Sequence, residues 1–592
     1  MREVEAEYYT AEDLARRIEA DPSDWIPDDF KSGHTLVYSS PATLAFNSPG
    51  AEGFGVKRAA LCLPESIELI VSPRCCGHMS TDLPGGRELN DRIFFMELSE
   101  TDLVTGRYIK RIPDEAQTAV DERTGAGFPK PKAVMLVFTC VDALLGTDMD
   151  YVAAACEKKT GIRVVPAPMY ALTREGMNPP MVQVRRSIFS LLEKRERNPH
   201  AVNVLGSLGG ITKECREELE EILFPAGITK IRTLSDCKTF EEFKEMADAG
   251  FNIVIDQDAR AAAADMQEKL GIGYIELQRF YGADRISSQY TAFCRALGTD
   301  SGIVDKLQKE YEPHIPSGDF NFSIGECENA IPAELALALL EYGFDVSEVF
   351  CALAPRDAWY ILHIAEKNPN TKFFFNQHPS MVGFRPDPDA DICIGKDACW
   401  YYRDQNTNKI SFNSDRQPFG FSALQGFFKE ISDSNPLKLE KYQENNKVRN
   451  PDMITDQSGA VSVVFPMDSL TVIIDAGGCT GNICGFDEPR WFSQKAVIFS
   501  AGLRDMDAIM GRDRELIRKI KDAAELLHPS FITLIGTPVP STIGTDYAGL
   551  KRELEKQTGI PVAAVNTNGM ESREKGVDKA KRALKSIFPD QI

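Results

Sequence analysis

LIVSPRCCG, residues Leu69 to Gly77, lines up without a gap on VIIDAGGCT, residues Val472 to Thr480, so that Cys76 falls on Cys479. In each stretch an apolar run of strand character ends in a turn that carries a cysteine. Two further matches follow in the same order. LSETDLVTG (Leu98 to Gly106) lines up with LRDMDAIMG (Leu503 to Gly511), setting Asp102 on Asp507. VFTCVDALLGTD (Val137 to Asp148) lines up with LIGTPVPSTIGTD (Leu534 to Asp546), setting Gly146 on Gly544, and Gly161-Ile162 falls on Gly559-Ile560. Three matches in one order point to a duplicated domain. The copies differ where chemistry would sit, because Cys140 of the first faces Pro538 of the second.

Between the two copies, strand-like runs alternate with amphipathic helical stretches, the pattern of parallel sheets covered by helices. Lys132 to Phe138 reads as a buried strand, Asp148 to Thr160 as a helix closed by Gly161, and Ile162 to Pro166 as the next strand. A second unit opens at Ala201 (AVNVLGSLGG), with a helix at Lys213 to Leu223 and a strand near Thr229 to Thr233. A third opens at Asp319 (DFNFSIGE), with a helix near Ala333 to Tyr342 and strands at Ser347 to Cys351, Lys372 to Asn376 and Ala390 to Ile394. The expected fold is α/β, with three Rossmann-like parallel-sheet domains and a C-terminal fourth α/β domain duplicating the first. The expected boundaries are 1–200, 201–312, 313–430, a polar linker at 431–458, and 459–592.

A chain of 592 residues exceeds one hydrophobic core and divides into several domains. Apolar residues make up 43% and charged residues 26%, and the mean hydropathy is −0.25. Neither disorder nor a membrane span is favoured by that composition. The opening MREVEAEYYT lacks the basic and apolar regions of a secretory signal, so a cytoplasmic location is expected. A net charge of −21 argues against nucleic acid or an anionic membrane as the main partner, since both attract positive surfaces. Fourteen cysteines in a long chain of this kind suggest metal ligation or burial rather than a disulfide framework. No GxxxxGK[ST] loop occurs, and GSLGGITK at Gly206 lacks the spacing that wraps phosphates, so this chain is not expected to bind a nucleotide.

Cys76-Gly77 after an apolar strand, the segment Ser99 to Gly106, the Thr-Cys and Gly-x-Asp segment Thr139 to Asp148, and Val-Asn-Val-Leu-Gly at Val202 together resemble the nitrogenase component 1 family. That family includes nitrogenase subunits, cofactor-assembly scaffolds and tetrapyrrole reductases, and the resemblance spans roughly Gly33 to Ser432 and Gly459 to Phe588. It implies an iron-sulfur cluster held by thiolates where two cluster-binding domains meet. Carried over residue by residue, Cys76 and Cys140 match the second and third ligands of one side and Cys479 the second ligand of the other. The first ligand position falls at Ser48-Pro49-Gly50 in one copy and near Asp452 to Ile454 in the other, neither with a cysteine.

One smaller cluster, of 4Fe-4S type, is therefore expected, held by Cys76, Cys140 and Cys479. Cys484 stands first for the fourth position, with Cys75 and Cys62 next, although Cys62 between two leucines also reads as a structural thiol. The family's cofactor cysteine is replaced by Ile255-Asp256-Gln257, and NSDRQPFG (Asn413 to Gly420) holds no histidine. Dinitrogen reduction is thus not expected. What the resemblance implies is a reductase subunit that takes electrons from a separate ATP-dependent P-loop iron-sulfur protein and reduces a small organic or tetrapyrrole-like molecule. The alternative is a non-catalytic scaffold or carrier for metallocluster assembly. A homodimer is the expected assembly, and no catalytic side chain is assigned. His78, His363 and His378, the pair Cys393 and Cys399, and Arg74, Arg356 and Arg416 are weaker candidates for tuning or substrate contact.

Overall fold

Runs rich in branched aliphatic residues take up extended backbone, and burial of both faces selects parallel pairing covered by helices. The computed structural model describes residues 4–31, 33–40, 42, 49–77, 91–169, 178–414, 416–434, 454–484, 495–511 and 513–589, with backbone alone for 49–54, 505, 508 and 509. Its strands form four separate sheets. The first has the order Ile93–Leu98, Ser66–Pro73, Ala133–Thr139, Arg163–Met169, all parallel. Its two central strands are buried along their whole length, as their unbroken apolar sequence requires.

The second sheet is also parallel, in the order Gly273–Glu276, Ala249–Val254, Asn198–Leu205, Lys230–Arg232. In the third, Lys372–Phe374, Asp345–Phe350, Asn321–Ile324, Ile392–Ile394 and Asn408–Ile410 run parallel. A continuous hydrophobic core joins the second and third sheets through residues such as Tyr290, Phe322, Leu337 and Phe427.

The fourth sheet repeats the strand order of the first, as Val497–Ser500, Ser469–Ile473, Phe531–Ile535, Val562–Val565, again parallel. The agreement extends to the turns. Gly106 and Gly511 close matched helices at φ 63° and 62°, Gly146 and Gly544 lie at 66° and 71°, and Gly161 and Gly559 at 66° and 70°. A residue with a Cβ is strained in that left-handed region, which is why glycine recurs at each place. Asp148 and Asp546 cap corresponding helices, each accepting a backbone N–H at 2.9 Å.

The N-terminal segment departs from the expected first domain of residues 1–200. Tyr9–Thr10 pairs antiparallel with Phe373 and Lys372 on the edge of the third sheet, and Val37–Tyr38 pairs antiparallel with Ser500 and Phe499 on the edge of the fourth. Residues 9–38 therefore strap two sheets together and join neither strand set of the first. Most of the expected linker, residues 435–453, lies outside the described residues. Among the described residues, no helix is long and apolar enough to cross a membrane.

Within the C-terminal unit, helices Asp456–Val464 and Arg573–Lys585 touch backbone to backbone. A Cβ on Gly576 would stand 1.8 Å from the Asp456 carbonyl oxygen, and one on Gly459 2.0 Å from that of Arg573. These two glycines set the helix separation, so Gly576→Val should push the helices apart and cost about 1–3 kcal/mol of stability. A lowered urea midpoint for the C-terminal transition is the expected result. An unchanged midpoint would show that the contact is dispensable.

Candidate functional site

Each central strand of the first and fourth sheets runs at its C-terminal end into a helix of four to six residues, the end where parallel sheets place ligands. Ser66–Pro73 leads into Arg74–Gly77, carrying Cys75 and Cys76, and Ala133–Thr139 leads into Cys140–Leu144. Ser469–Ile473 leads into Gly478–Asn482, carrying Cys479, and Phe531–Ile535 into Pro538–Ile543. Buried aspartates shape two of these turns. Asp475 accepts from the Thr480 N–H at 2.7 Å and from the Ser500 hydroxyl at 2.5 Å. Asp142 accepts from the Thr139 N–H at 3.0 Å and from Tyr108 at 2.9 Å, and burial pushes it up to about 6.

The two halves bring Cys75, Cys76 and Cys479 together. The Cys75 and Cys76 sulfurs are 3.8 Å apart, and Cys479 exchanges thiol hydrogen bonds with both. The hydrogen bond to Cys479, the contact with Cys76 and burial all hold the Cys75 thiol well above its ordinary value. For Cys479 the bond with Cys75 pulls downward, while Cys76 and burial outweigh it and leave that thiol raised too. Cysteine thiolates are the ligands that iron-sulfur clusters take from protein. The donor set therefore fits a soft metal centre.

Main-chain contacts fix this junction. The Cys75 N–H donates to the Gly569 carbonyl at 3.1 Å, and the Cys75 carbonyl accepts from Asn482 Nδ2 at 3.1 Å. Gly569, at φ 72°, has no room for a side chain, since a Cβ would meet the Cys75 sulfur at 2.8 Å and Pro538 at 2.9 Å. Asp456 holds the turn from behind by accepting from the N–H groups of Asn568 at 3.0 Å and Gly569 at 2.8 Å. Beneath the cysteines, Lys57 donates to the Cys76 carbonyl at 2.6 Å. Burial lowers that lysine to about 8, opposed by Glu68 and then by Cys76 and Cys75. Glu68, fully buried, is raised to about 8 by desolvation, opposed by Lys57 and Arg92.

Cys140 begins its helix on the neighbouring strand and packs against Ala143, Ala476 and Val539, so it too faces the fourth-sheet half. Cys484 sits elsewhere, within the apolar cluster of Val461, Phe465, Ile473 and Ile498. Cys62 donates to the Arg58 carbonyl one helical turn back, at 3.5 Å. His78 lies outside the described residues. His363 is bonded at 2.8 Å to the Trp359 carbonyl of its own helix and stacks on that indole, and His378 lies against the N-terminal strap. Cys393 is core, its thiol pushed up to about 12 by burial, and Cys399 donates to the Cys393 and Ile410 carbonyls at 3.6 Å. Arg416 is exposed, and Arg356 donates to Gln257.

One polar cluster has no counterpart in the sequence reading. Between the second and third sheets Asp256 accepts from Gln417 Nε2 at 3.0 Å and faces Arg279 at 3.6 Å, while Asp258 faces the buried Arg185 at 3.3 Å. Gln417 also accepts from the Ser207 N–H at 3.0 Å, closing the loop after the first strand of the second sheet. Its members are far apart along the chain, and no local pattern signals them.

The family model for nitrogenase component 1 type oxidoreductases matches residues 52–406 and 456–588. That is well over half of the chain, which belongs to this family. Among curated proteins it is similar to the nitrogenase iron-molybdenum cofactor biosynthesis protein NifE of Rhodobacter capsulatus, 25% identical over 263 residues, or 43% of this chain and 53% of the relative. NifE of a Nostoc species is 28% identical over 253 residues, 41% of this chain and 50% of the relative. The chain thus spans about half the length of these curated relatives. A solved structure titled "Nitrogenase Cp1 at pH 6.5" aligns with a TM-score of 0.48 at 13% identity, covering 70% of this chain and 95% of that one.

The Asn482 contact is a test of the junction. Asn482→Ala removes one buried hydrogen bond of about 1 kcal/mol and should open the turn roughly fivefold more often. Buried, protonated thiols alkylate slowly, so mass spectrometry should show Cys75 and Cys479 modified about fivefold faster in the metal-free variant. Unaltered rates would mean that Asn482 does not hold the turn.

Proposed function

We propose that Cys75, Cys76 and Cys479, with Cys140 from the neighbouring strand, hold one iron-sulfur cluster of 4Fe-4S type between the two halves of this chain. The convergence of three thiols from two sheets at one buried junction carries this reading. Within it Cys75 takes the place first expected of Cys484, whose side chain is committed to apolar packing. When bound, such a group supplies one-electron acceptance and donation.

The chain's own residues would supply the rest. Cys75, Cys76 and Cys479 would shed their protons on binding, as thiol ligands do. Lys57, held under Cys76, would offset part of the thiolate charge, and the turn at Gly569 would keep water from the sulfurs. In this role the chain is a nitrogenase-like reductase subunit. It would receive electrons from a separate ATP-dependent P-loop iron-sulfur protein and pass them to a small organic or tetrapyrrole-like substrate, working as a homodimer.

A second reading has its own support, because the curated relatives are described as cofactor biosynthesis proteins. In that case the same thiols would hold a cluster or precursor and release it to an acceptor. The two separate on mixing the loaded chain with a metal-free acceptor protein. ATP-dependent electron uptake with the iron retained supports the reductase, and iron transfer without such uptake supports the scaffold.

The cluster itself is tested by anaerobic reconstitution, iron and sulfide assay, and paramagnetic resonance of the reduced protein. About four irons per chain are expected, falling to less than a tenth in Cys76→Ala and Cys479→Ala and remaining at the original level in Cys484→Ser. A chain holding no iron, or one unaffected by the first two changes, would refute the assignment.

A further inference from the structure

Outside the thiol junction, the N-terminal strap brings three metal-ligating side chains to one place. Glu7 precedes the short strand Tyr9–Thr10, Asp29 lies in the 3-10 turn Asp28–Phe30, and His378 precedes the turn Pro379–Gly383 of the third-sheet unit. One donor atom from each lies within 4.8 Å of the other two. His378 is 5% exposed, and its Nε2 faces Glu7 Oε2 at 3.8 Å, beyond hydrogen-bond distance. Glu7 and His378 open onto a cleft of about 320 Å³, also lined by Thr35, Lys519 and Asp522.

His378 Nδ1 is 2.7 Å from the Ser380 hydroxyl, which also accepts the Glu7 N–H at 2.8 Å. The Ser380 N–H donates to the same ring nitrogen at 3.2 Å, which favours the neutral ring with its proton on Nε2. A cation at Nε2 would shift the ring proton to Nδ1, which would then donate to the Ser380 hydroxyl and give up the hydrogen bond accepted from the Ser380 N–H. Asp29 is placed by Tyr9, whose hydroxyl donates to it at 3.2 Å.

We propose that Glu7, Asp29 and His378 form a divalent-cation site of zinc type that clasps the N-terminal strap to the third sheet. One nitrogen and two carboxylates suit zinc, with the cleft leaving a fourth position for water. Tetrahedral zinc with bonds of about 2.0–2.2 Å sets its ligands about 3.3–3.6 Å apart, so the donors close in by roughly 1 Å on binding. Glu7 can move that far, because its side chain is 52% exposed. The site has mechanical value. The strap is held by two-residue strands at each end, and a metal bond between them replaces contacts that short strands cannot supply. Lys519 lines the same cleft and is the cation available to balance the carboxylates in the absence of a metal.

The test uses the full chain with its iron in place, dialysed against micromolar zinc and then assayed for both metals. Glu7→Gln and Asp29→Asn should each bind one zinc fewer per chain than the wild type, with iron content and visible absorbance unchanged. Zinc should raise the melting midpoint of the wild type, reversibly with chelator, and leave that of Glu7→Gln where it was. His378→Ala should behave likewise, but it also empties a buried position, so the two carboxylate variants decide the matter. Equal zinc in the wild type and both carboxylate variants would overturn the proposal and leave Lys519 as the balancing charge.

Discussion

The backbone of Cys75 is held from the other half of the molecule at both its polar groups, by Gly569 on the amide and Asn482 on the carbonyl. A buried peptide group left without such partners costs on the order of 1–3 kcal/mol, so the first-sheet cysteine turn depends on the fourth-sheet unit for its stability. The dependence extends backward. Gly569 is placed by Asp456, and Asp456 by the close approach of two helices that only Gly459 and Gly576 permit. A chain of steric and hydrogen-bonded constraints therefore runs from a glycine contact to the position of a thiol. Linking both units covalently holds them at high effective concentration, so the junction forms without an association step between subunits.

Electrostatics at the junction work against the free thiolate and in favour of a bound cation. Contacts among the thiols, together with burial, raise Cys75 and Cys479, and burial raises Glu68 as well. Lys57 donates to the turn at the Cys76 carbonyl, and it too is weakened by desolvation. Such a pocket stores no charge of its own. It becomes strongly favourable to a metal once one arrives, because each thiolate formed then has a cation within bonding distance.

Much of the fold was legible because its signals are local. The helix expected at Lys213 to Leu223 occurs as Lys213–Leu223, and the Asp148 cap and Gly161 stop bracket Met149–Thr160. Self-similarity aligned Cys76 with Cys479, and the two turns that carry them lie at one junction. Cys484, five residues after Cys479, follows the end of the Gly478–Asn482 helix and lies in an apolar cluster with Val461 and Ile473, a placement that spacing alone does not signal. The strap was illegible for a different reason: two-residue antiparallel strands carry no periodicity, and their partners lie hundreds of residues away. The Asp256, Arg279 and Gln417 cluster shares that property.

The inequality of the two halves follows from backbone as much as from side chains. Gly477, which aligns with Arg74, lies at φ 103°, a conformation closed to arginine, so its helix starts one residue later. Gly478 then occupies the position of Cys75, and Pro538 that of Cys140. A turn built on two glycines presents one thiol, and a strand end built on proline presents none. The first half contributes Cys75, Cys76 and Cys140, while the second contributes Cys479 and the Gly569 turn that supports Cys75. A symmetric pair of such units would offer two equivalent faces to a redox or acceptor protein. Here three of the four candidate thiols belong to one half.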